Sequence, residues 1–364
     1  MGALQKLFAA HGSDYLQQFG EAMPVVHKKV MAAMVACRTP HAGALLCGCA
    51  HCGQPHLLAR SCGNRHCPSC QGRKAFQWLA RQLERALPTH HFMLTFTVPE
   101  SLRAFLRSNQ RIGYEALFAA SAGAIRVLAR EPRFNLGDQP GFFGVLHTWG
   151  RTLQYHPHIH YVVPGGALCS EDQQWHAASP GFFLPVHALS TIYRAKFRDA
   201  IQRAGLLADI PDTVWKTAWN VNCQPVGDAA NTLGYLARYV FKVAISDQRI
   251  LGVDDGQVRF AYTKPGSSRR RTMVLSVNEF IRRFLQHVLP TGFMKVRHYG
   301  FLSPSFRIPL AQVKARVQMA HGFAARAVNT ELDAHAPTPM VCSHCGGALK
   351  LLRVMRAATR PSAA

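Results

Sequence analysis

Tyr155-His156-Pro157-His158-Ile159-His160-Tyr161-Val162-Val163 is the stretch whose reading decides the fold. A strand alternates its side chains, so His158 and His160 share one face and Ile159 points to the other. Two imidazoles side by side on a rigid strand have the disposition of two metal ligands, although a bare His-x-His also fits an ordinary sheet surface. Working outward, Phe142–Trp149 is rich in strand formers, and the short link Gly150-Arg151-Thr152 predicts an antiparallel hairpin with residues 153–163. A turn centred there brings His147 close to cross-strand from His158, on the same face, which makes His147 the expected third ligand. His156 shares the parity of the pair and is the alternative. Further along, Tyr235-Leu236-Ala237-Arg238-Tyr239 puts two phenols one helical turn apart. Such a pair usually packs on a sheet. Arg238 and Lys242 beside it fit a phosphate better than a buried stripe. A metal site and a tyrosine pair on one basic chain suggest chemistry on a nucleic-acid phosphate.

The charge agrees. The 364 residues carry a formal net charge of +23, with a pI near 10.1. Such an excess destabilises a compact fold by self-repulsion unless a polyanion neutralises it, so DNA or RNA is the natural partner. Arginine greatly outnumbers lysine, favouring bidentate phosphate contacts. The run Arg269-Arg270-Arg271 is a candidate DNA-backbone contact. Apolar residues make up 48 %, enough for a packed core and against a disordered chain. No run of 18 apolar residues predicts a membrane span, and Met1–Lys6 lacks a signal pattern, so a cytoplasmic, nucleoid-associated protein is expected.

A reducing compartment turns clustered cysteines toward metal. Cys49-x2-Cys52 and Cys67-x2-Cys70, 14 residues apart, predict one closed tetrahedral zinc of the ribbon type. Cys62, His66 and Cys47 nearby allow a second or substituted ligand set. Arg65, Arg73 and Lys74 around the module are candidate DNA contacts. Cys342-x2-Cys345 is half a site that would need two further ligands, such as His335 or His344. Cys169 and Cys223 read as ordinary buried thiols.

The periodicities predict helices over 14–36, 75–87, 101–130, 187–206, 228–242 and 276–288. Strands are predicted over 91–98, in the hairpin, over 214–221, and as short pieces within 248–275 turning at Asp255-Gly256 and Pro265-Gly266. The class is α+β: a central antiparallel sheet with flanking helices and a small N-terminal zinc module. The expected division is 1–88 (helix and zinc module), 89–290 (catalytic unit) and 291–364 (Cys knuckle and basic tail).

Several motifs in this order resemble the rolling-circle insertion-sequence transposases of the HUH superfamily, in the family numbered ninety-one. They are Cys62-Gly63-Asn64-Arg65-His66-Cys67-Pro68-Ser69-Cys70, His156-Pro157-His158-Ile159-His160, Tyr235-Leu236-Ala237-Arg238-Tyr239 with Ala244-Ile245-Ser246, Glu279–Phe284 and Arg297–Leu302. The resemblance covers nearly the whole chain. It implies an HUH nuclease core, with His158 and His160 as ligands of a catalytic Mg²⁺ or Mn²⁺ and Tyr235 and Tyr239 as nucleophiles. It implies nicking and rejoining of single-stranded element ends and target DNA through a 5′-phosphotyrosine, by one tyrosine or both, with oligomerisation left open. Trp149, Tyr155 and Tyr161 are candidates for stacking on bases. The competing readings are a replication initiator or relaxase with the same site, an inactive zinc-containing DNA-binding protein, and a zinc hydrolase using the three histidines.

Overall fold

The computed structural model describes all residues except 135, 228–243, 265, 322–339 and 357–364, and the side chains at positions 72 and 73. In chain order the described helices are α1 (Ala3–Phe19), α2 (Val25–Ala36), α3 (Pro68–Arg85), α4 (Arg103–Ser108), α5 (Gln110–Ala129), α6 (Val186–Arg203), α7 (Thr213–Lys216), α8 (Val277–Leu285) and α9 (Leu310–His321). The strands are β1 (Ala44–Cys49), β2 (Pro55–Ala59), β3 (His91–Thr97), β4 (Phe142–Trp149), β5 (Tyr155–Pro164), β6 (Gly166–Leu168), β7 (Trp175–Ala177), β8 (Val221–Gly227), β9 (Ile250–Asp254), β10 (Gln257–Thr263), β11 (Arg270–Ser276), β12 (Val296–Tyr299) and β13 (Leu349–Met355).

The centre is a five-stranded antiparallel sheet in the order β12-β4-β5-β3-β8. Strict alternation gives its two faces different fates. One face carries Leu94, Phe96, Leu146, Ile159, Tyr161 and Val163, which pack with α5 and α6 into the largest core. Tyr161 lies opposite Gly144, and a Cβ at 144 would strike the Tyr161 ring, so the pairing needs glycine there. The buried hydroxyls are satisfied: Tyr161 shares a hydrogen bond of 2.7 Å with Ser121, and Tyr155 one of 2.6 Å with Tyr114. The other face is divided. At one end Phe143, Val145 and Val162 are covered by Trp78 of α3 and by Val313 and Val317 of α9. At the other end it carries histidines and faces a cleft.

A second core joins the N-terminal helices to the region that walls the cleft. Leu4, Leu7 and Phe8 of α1 and Met31 and Met34 of α2 pack with Phe260 of β10 and with Phe280 and Phe284 of α8. The sequence of α8 explains its start: Ser276 is the N-cap and its side chain accepts from the Glu279 backbone N–H. The end of α8 grips the β4–β5 turn. Gln286 Nε2 donates to the Leu153 carbonyl at 2.8 Å, and His287 Nε2 donates to the same oxygen at 3.1 Å. Leu153, with φ of 63°, is fully buried beneath them.

The antiparallel sheet with helices is the expected α+β class, and the β4–β5 hairpin forms as predicted. Two expectations differ. The helix predicted over 14–36 is two helices, because the chain breaks at Gly20 and Pro24 caps α2. The strand predicted over 214–221 is the short α7 followed by β8, which begins at Val221. There the aromatic content reflects packing: Trp219 sits against Tyr193 and Phe197 of α6. Beyond residue 290, β12 is an edge of the central sheet, and β13 pairs with β1 in a three-stranded sheet β13-β1-β2. The helix expected over 228–242 lies outside the described residues. Only α5 among the described helices is long and apolar enough to cross a membrane, and it lies mostly buried in the main core.

Candidate active site and cysteine cages

His147 pairs directly with His158 across the hairpin, and His160 follows two residues along the same face. The potential ligand atoms of the three rings lie within 4.8 Å of one another, and the ring centroids are 4.8–5.4 Å apart. His158 Nδ1–H donates to the His156 carbonyl at 2.7 Å, which leaves Nε2 as the electron-pair donor. His160 Nδ1 shares a hydrogen bond of 2.9 Å with the Thr95 hydroxyl, directly across the β3–β5 ladder. Tying Nδ1 in this way orients the ring, the usual outer-shell arrangement of a metal-binding histidine. Burial is the main cause that pushes His158 down to about 3 and His160 down to about 4. Both are therefore neutral at physiological pH, the form that can bind a cation. His156 shares the face, but its Nδ1 meets Arg103 Nη2 at 3.1 Å. A donor set of three imidazoles fits a divalent cation with open positions.

These rings form the floor of a cleft of about 1060 Å³. Its rim and wall carry Arg151, Arg249, Lys264 and Arg270, and no carboxylate lines it among the described residues. The guanidinium groups rest on backbone. Arg249 donates to the carbonyls of Ala261 and Arg151, and Arg151 donates to that of Thr263, tying the hairpin turn to β10. Burial, then the neighbouring Arg151 charge, lowers the pKa of Arg249. An anion in the cleft would relieve that repulsion.

Of the expected DNA contacts, Arg270 lines the cleft, while Arg269 and Arg271 are exposed outside it. Arg65 is a strut: its guanidinium donates to the carbonyls of Phe293 and Pro290. Lys74 is exposed and donates to the Gly63 carbonyl. Tyr235, Arg238, Tyr239 and Lys242 lie outside the described residues, as does the side chain of Arg73. Tyr155 and Tyr161 point into the core on the face opposite the histidines, so they are not available for base stacking; Trp149 does line the cleft. The sequence reading missed Arg151, Arg249 and Lys264, whose convergence depends on how β9–β11 meets the hairpin. It also missed Thr95, which alternation reveals only once β3 is known to pair with β5.

The cysteines separate into two groups of four, Cys37, Cys62, Cys67 and Cys70, and Cys49, Cys52, Cys342 and Cys345. This corrects the ribbon expectation. The knuckle Cys49–Cys52 sits at the tip of the β1–β2 hairpin, whereas Cys37 and Cys62 flank its base. The four steps from Gly48 to Ala44 span roughly 14 Å, at about 3.4 Å per residue, so the two knuckles cannot share one ion. In the base group Cys37 follows α2, Cys67 caps α3, and Cys70 lies in its first turn after Pro68. Helix N-termini favour thiolates there. The Sγ separations are 3.5 Å for Cys37–Cys70, 3.5 Å for Cys62–Cys70 and 3.7 Å for Cys37–Cys67. A tetrahedron with Zn–S bonds of about 2.3 Å has edges of roughly 3.8 Å, so this set fits zinc. Cys62 is drawn down to about 5, chiefly by its hydrogen bond with Cys67. Cys47 and His66 join neither group; burial is the main cause holding His66 down to about 3. His335 lies outside the described residues, and His344 contributes a backbone N–H to Cys342 Sγ. Cys169 and Cys223 are half-buried, and Cys169 neighbours Asp172 and His176.

Comparisons with known proteins agree with this layout. Residues 141–308 match a family model described as "Putative transposase" and residues 7–98 one described as "Transposase zinc-binding domain". The protein named "Putative transposase y4qJ" from Sinorhizobium fredii (strain NBRC 101917 / NGR234) is 38 % identical over 322 residues, covering 81 % of this chain and 81 % of that protein. The "Transposase for insertion sequence element IS801" from Pseudomonas savastanoi pv. phaseolicola is 28 % identical over 257 residues, covering 65 % of this chain and 60 % of that protein. No solved structure matches the chain. With its amino-terminal zinc-binding domain, the chain belongs to the IS91 family of insertion-sequence transposases.

Proposed function

We propose that this transposase nicks and rejoins single-stranded DNA through a 5′-phosphotyrosine in rolling-circle transposition. Tyr235 or Tyr239 would be the nucleophile, with His147, His158 and His160 holding a Mg²⁺ or Mn²⁺ ion. The observation that carries the reading is the convergence of three imidazoles on the floor of a cationic cleft whose described lining holds no carboxylate. Such a cation, when bound, withdraws charge from the phosphoryl oxygens at the scissile bond. Thr95 and the His156 carbonyl keep the rings aimed at it. Arg151, Arg249, Lys264 and Arg270 hold the strand by its phosphates, which gives affinity without sequence preference.

The phenol is a weak nucleophile at neutral pH, since its ordinary pKa is near 10. Its oxygen bonds to phosphorus as the bond to the 3′-oxygen breaks. The phenolic proton is released, and the 3′-oxygen becomes a free hydroxyl. One phosphoester replaces another, so rejoining needs no nucleotide cofactor. The stretch carrying both tyrosines continues directly into Ala244-Ile245-Ser246, and Ser246 lines the cleft. The structural zinc of the amino-terminal domain is assigned on this reading to Cys37, Cys62, Cys67 and Cys70, all within residues 7–98.

The test is incubation with labelled single-stranded element ends and Mn²⁺, followed by denaturing electrophoresis. A covalent adduct is expected from the wild type and none from Tyr235→Phe/Tyr239→Phe; the single variants identify which phenol acts. Retardation without any adduct, or an adduct that survives the double substitution, overturns the proposal.

A further inference from the structure

The zinc-binding match ends at residue 98 and so contains only half of the second cysteine group. The other half, Cys342 and Cys345, comes from a segment nearly 300 residues later, beyond the bounds of both family matches. We propose that Cys49, Cys52, Cys342 and Cys345 form a second four-thiolate zinc site, which clasps the segment around β13 onto the β1–β2 hairpin.

Four observations carry it. The four Sγ atoms lie within 4.8 Å of one another, with Cys49–Cys345 at 3.4 Å and Cys52–Cys342 at 3.7 Å. These are close to the roughly 3.8 Å edges of a zinc–thiolate tetrahedron and well beyond the ~2.05 Å of a disulfide. The two halves are built alike. Each is Cys-x2-Cys-Gly, and in each the glycine N–H donates back to the first cysteine's carbonyl, Gly53 to Cys49 at 3.1 Å and Gly346 to Cys342 at 2.9 Å. Both glycines have φ of 73°, a conformation that closes the turn and that other residues rarely adopt. In each, backbone N–H groups point at the first sulfur, from His51 and Cys52 to Cys49 Sγ and from His344 to Cys342 Sγ. Outside the tetrad, His56 Nε2 lies 3.1 Å from Cys342 Sγ, placed to donate to a thiolate.

Two knuckles of this form supply four thiolates and leave no open coordination position, which makes the site structural. Four thiolates in a tetrahedron suit zinc or iron, and the zinc-binding family match over Cys49 and Cys52 favours zinc. On binding, the thiol protons are released and the two chain segments become one unit. Register supports the clasp: β13 pairs with β1 from Ala44–Met355 to Cys49–Leu349, and the Ala50 N–H donates to the Ala348 carbonyl at 2.9 Å.

The test is zinc content of the full chain purified under reducing conditions, with no dependence on DNA cleavage. Two zinc ions per chain are expected. Cys342→Ser/Cys345→Ser and Cys49→Ser/Cys52→Ser should each lose one, and the fourfold variant should lose the same one and no more. Reconstitution of the wild type with Co²⁺ should show thiolate-to-metal absorption that keeps rising to two equivalents and stops at one in the Cys342→Ser/Cys345→Ser protein, which reports on the site even if a variant purifies poorly. One zinc per chain in the wild type overturns the proposal. So does retention of two in either double variant, or a shortfall of the eleven free thiols when unreduced protein is denatured with chelator.

Discussion

Over Tyr155–Tyr161 the two faces of β5 differ by one residue of register and have opposite characters. Tyr155, Ile159, Tyr161 and Val163 face the main core, are almost wholly buried and meet α5 and α6. His156, His158 and His160 face the cleft and are held by Thr95, Arg103 and a backbone carbonyl. The difference teaches that a strand can hold reactive groups rigidly without weakening its fold. The odd-numbered side chains and Val162 supply the stability, and the positions of His156, His158 and His160 are given over to chemistry. A slip of one residue would exchange the two roles, so the apolar face also fixes where the imidazoles point.

This separation can be broken by experiment. The largest effect is expected at His158. His158→Ala should lower DNA cleavage by about 10³-fold, the order lost when a principal electrostatic stabiliser is removed, while the melting temperature and DNA affinity change little. Cleavage at the wild-type rate would remove the even face from the mechanism. Ile159→Ala should do the reverse. Its cavity should cost about 2–5 kcal/mol of unfolding free energy in denaturant titration, with the folded fraction still cleaving DNA. Thr95→Val sharpens the contrast, because it keeps shape and removes only the hydroxyl beside His160. A loss of about 10–100-fold in Mn²⁺ affinity, measured by titration, is expected without loss of stability. An unchanged affinity would mean that Thr95 does not orient the ring.

Acid gives the smallest and most diagnostic effect. Burial depresses His158 to about 3 and His160 to about 4, against an ordinary 6.5. Below pH 6.5 the unfolded chain takes up protons that the folded chain refuses. Stability is therefore full above pH 6.5 and lost as pH falls toward the folded values, by at most about 2 kcal/mol per imidazole at pH 5. His158→Ala/His160→Ala should flatten the melting-temperature profile between pH 7 and 5. A profile identical to wild type would show that the even face is ordinary wet surface.

How much of this was legible in the sequence follows from the range of the forces involved. Alternation and a short turn are local, and they placed the β4–β5 hairpin and His147 opposite His158. The cysteine spacing identified metal chemistry and misassigned the partners, because Cys37 offers no knuckle and Cys342 is far away in the chain. Only the three-dimensional path of the β1–β2 hairpin separates the two cages. The cationic wall was hidden for the same reason: Arg151, Arg249 and Lys264 are scattered in sequence and converge when β10 meets the hairpin turn. The break between α1 and α2 could have been read from Pro24, whose ring forbids a continuous helix there.

The pairing of β13 with β1 has a consequence for synthesis. About 300 residues separate the two strands. At about 5–20 residues per second, a ribosome needs roughly 15–60 s to deliver the second after the first. During that interval the nascent β1–β2 hairpin carries an unpaired edge of the kind that draws wrong partners, and two unmatched cysteines wait at its tip. Holding back the completing strand makes the amino-terminal sheet among the last parts of this transposase to close, so a chain interrupted in translation carries it unfinished.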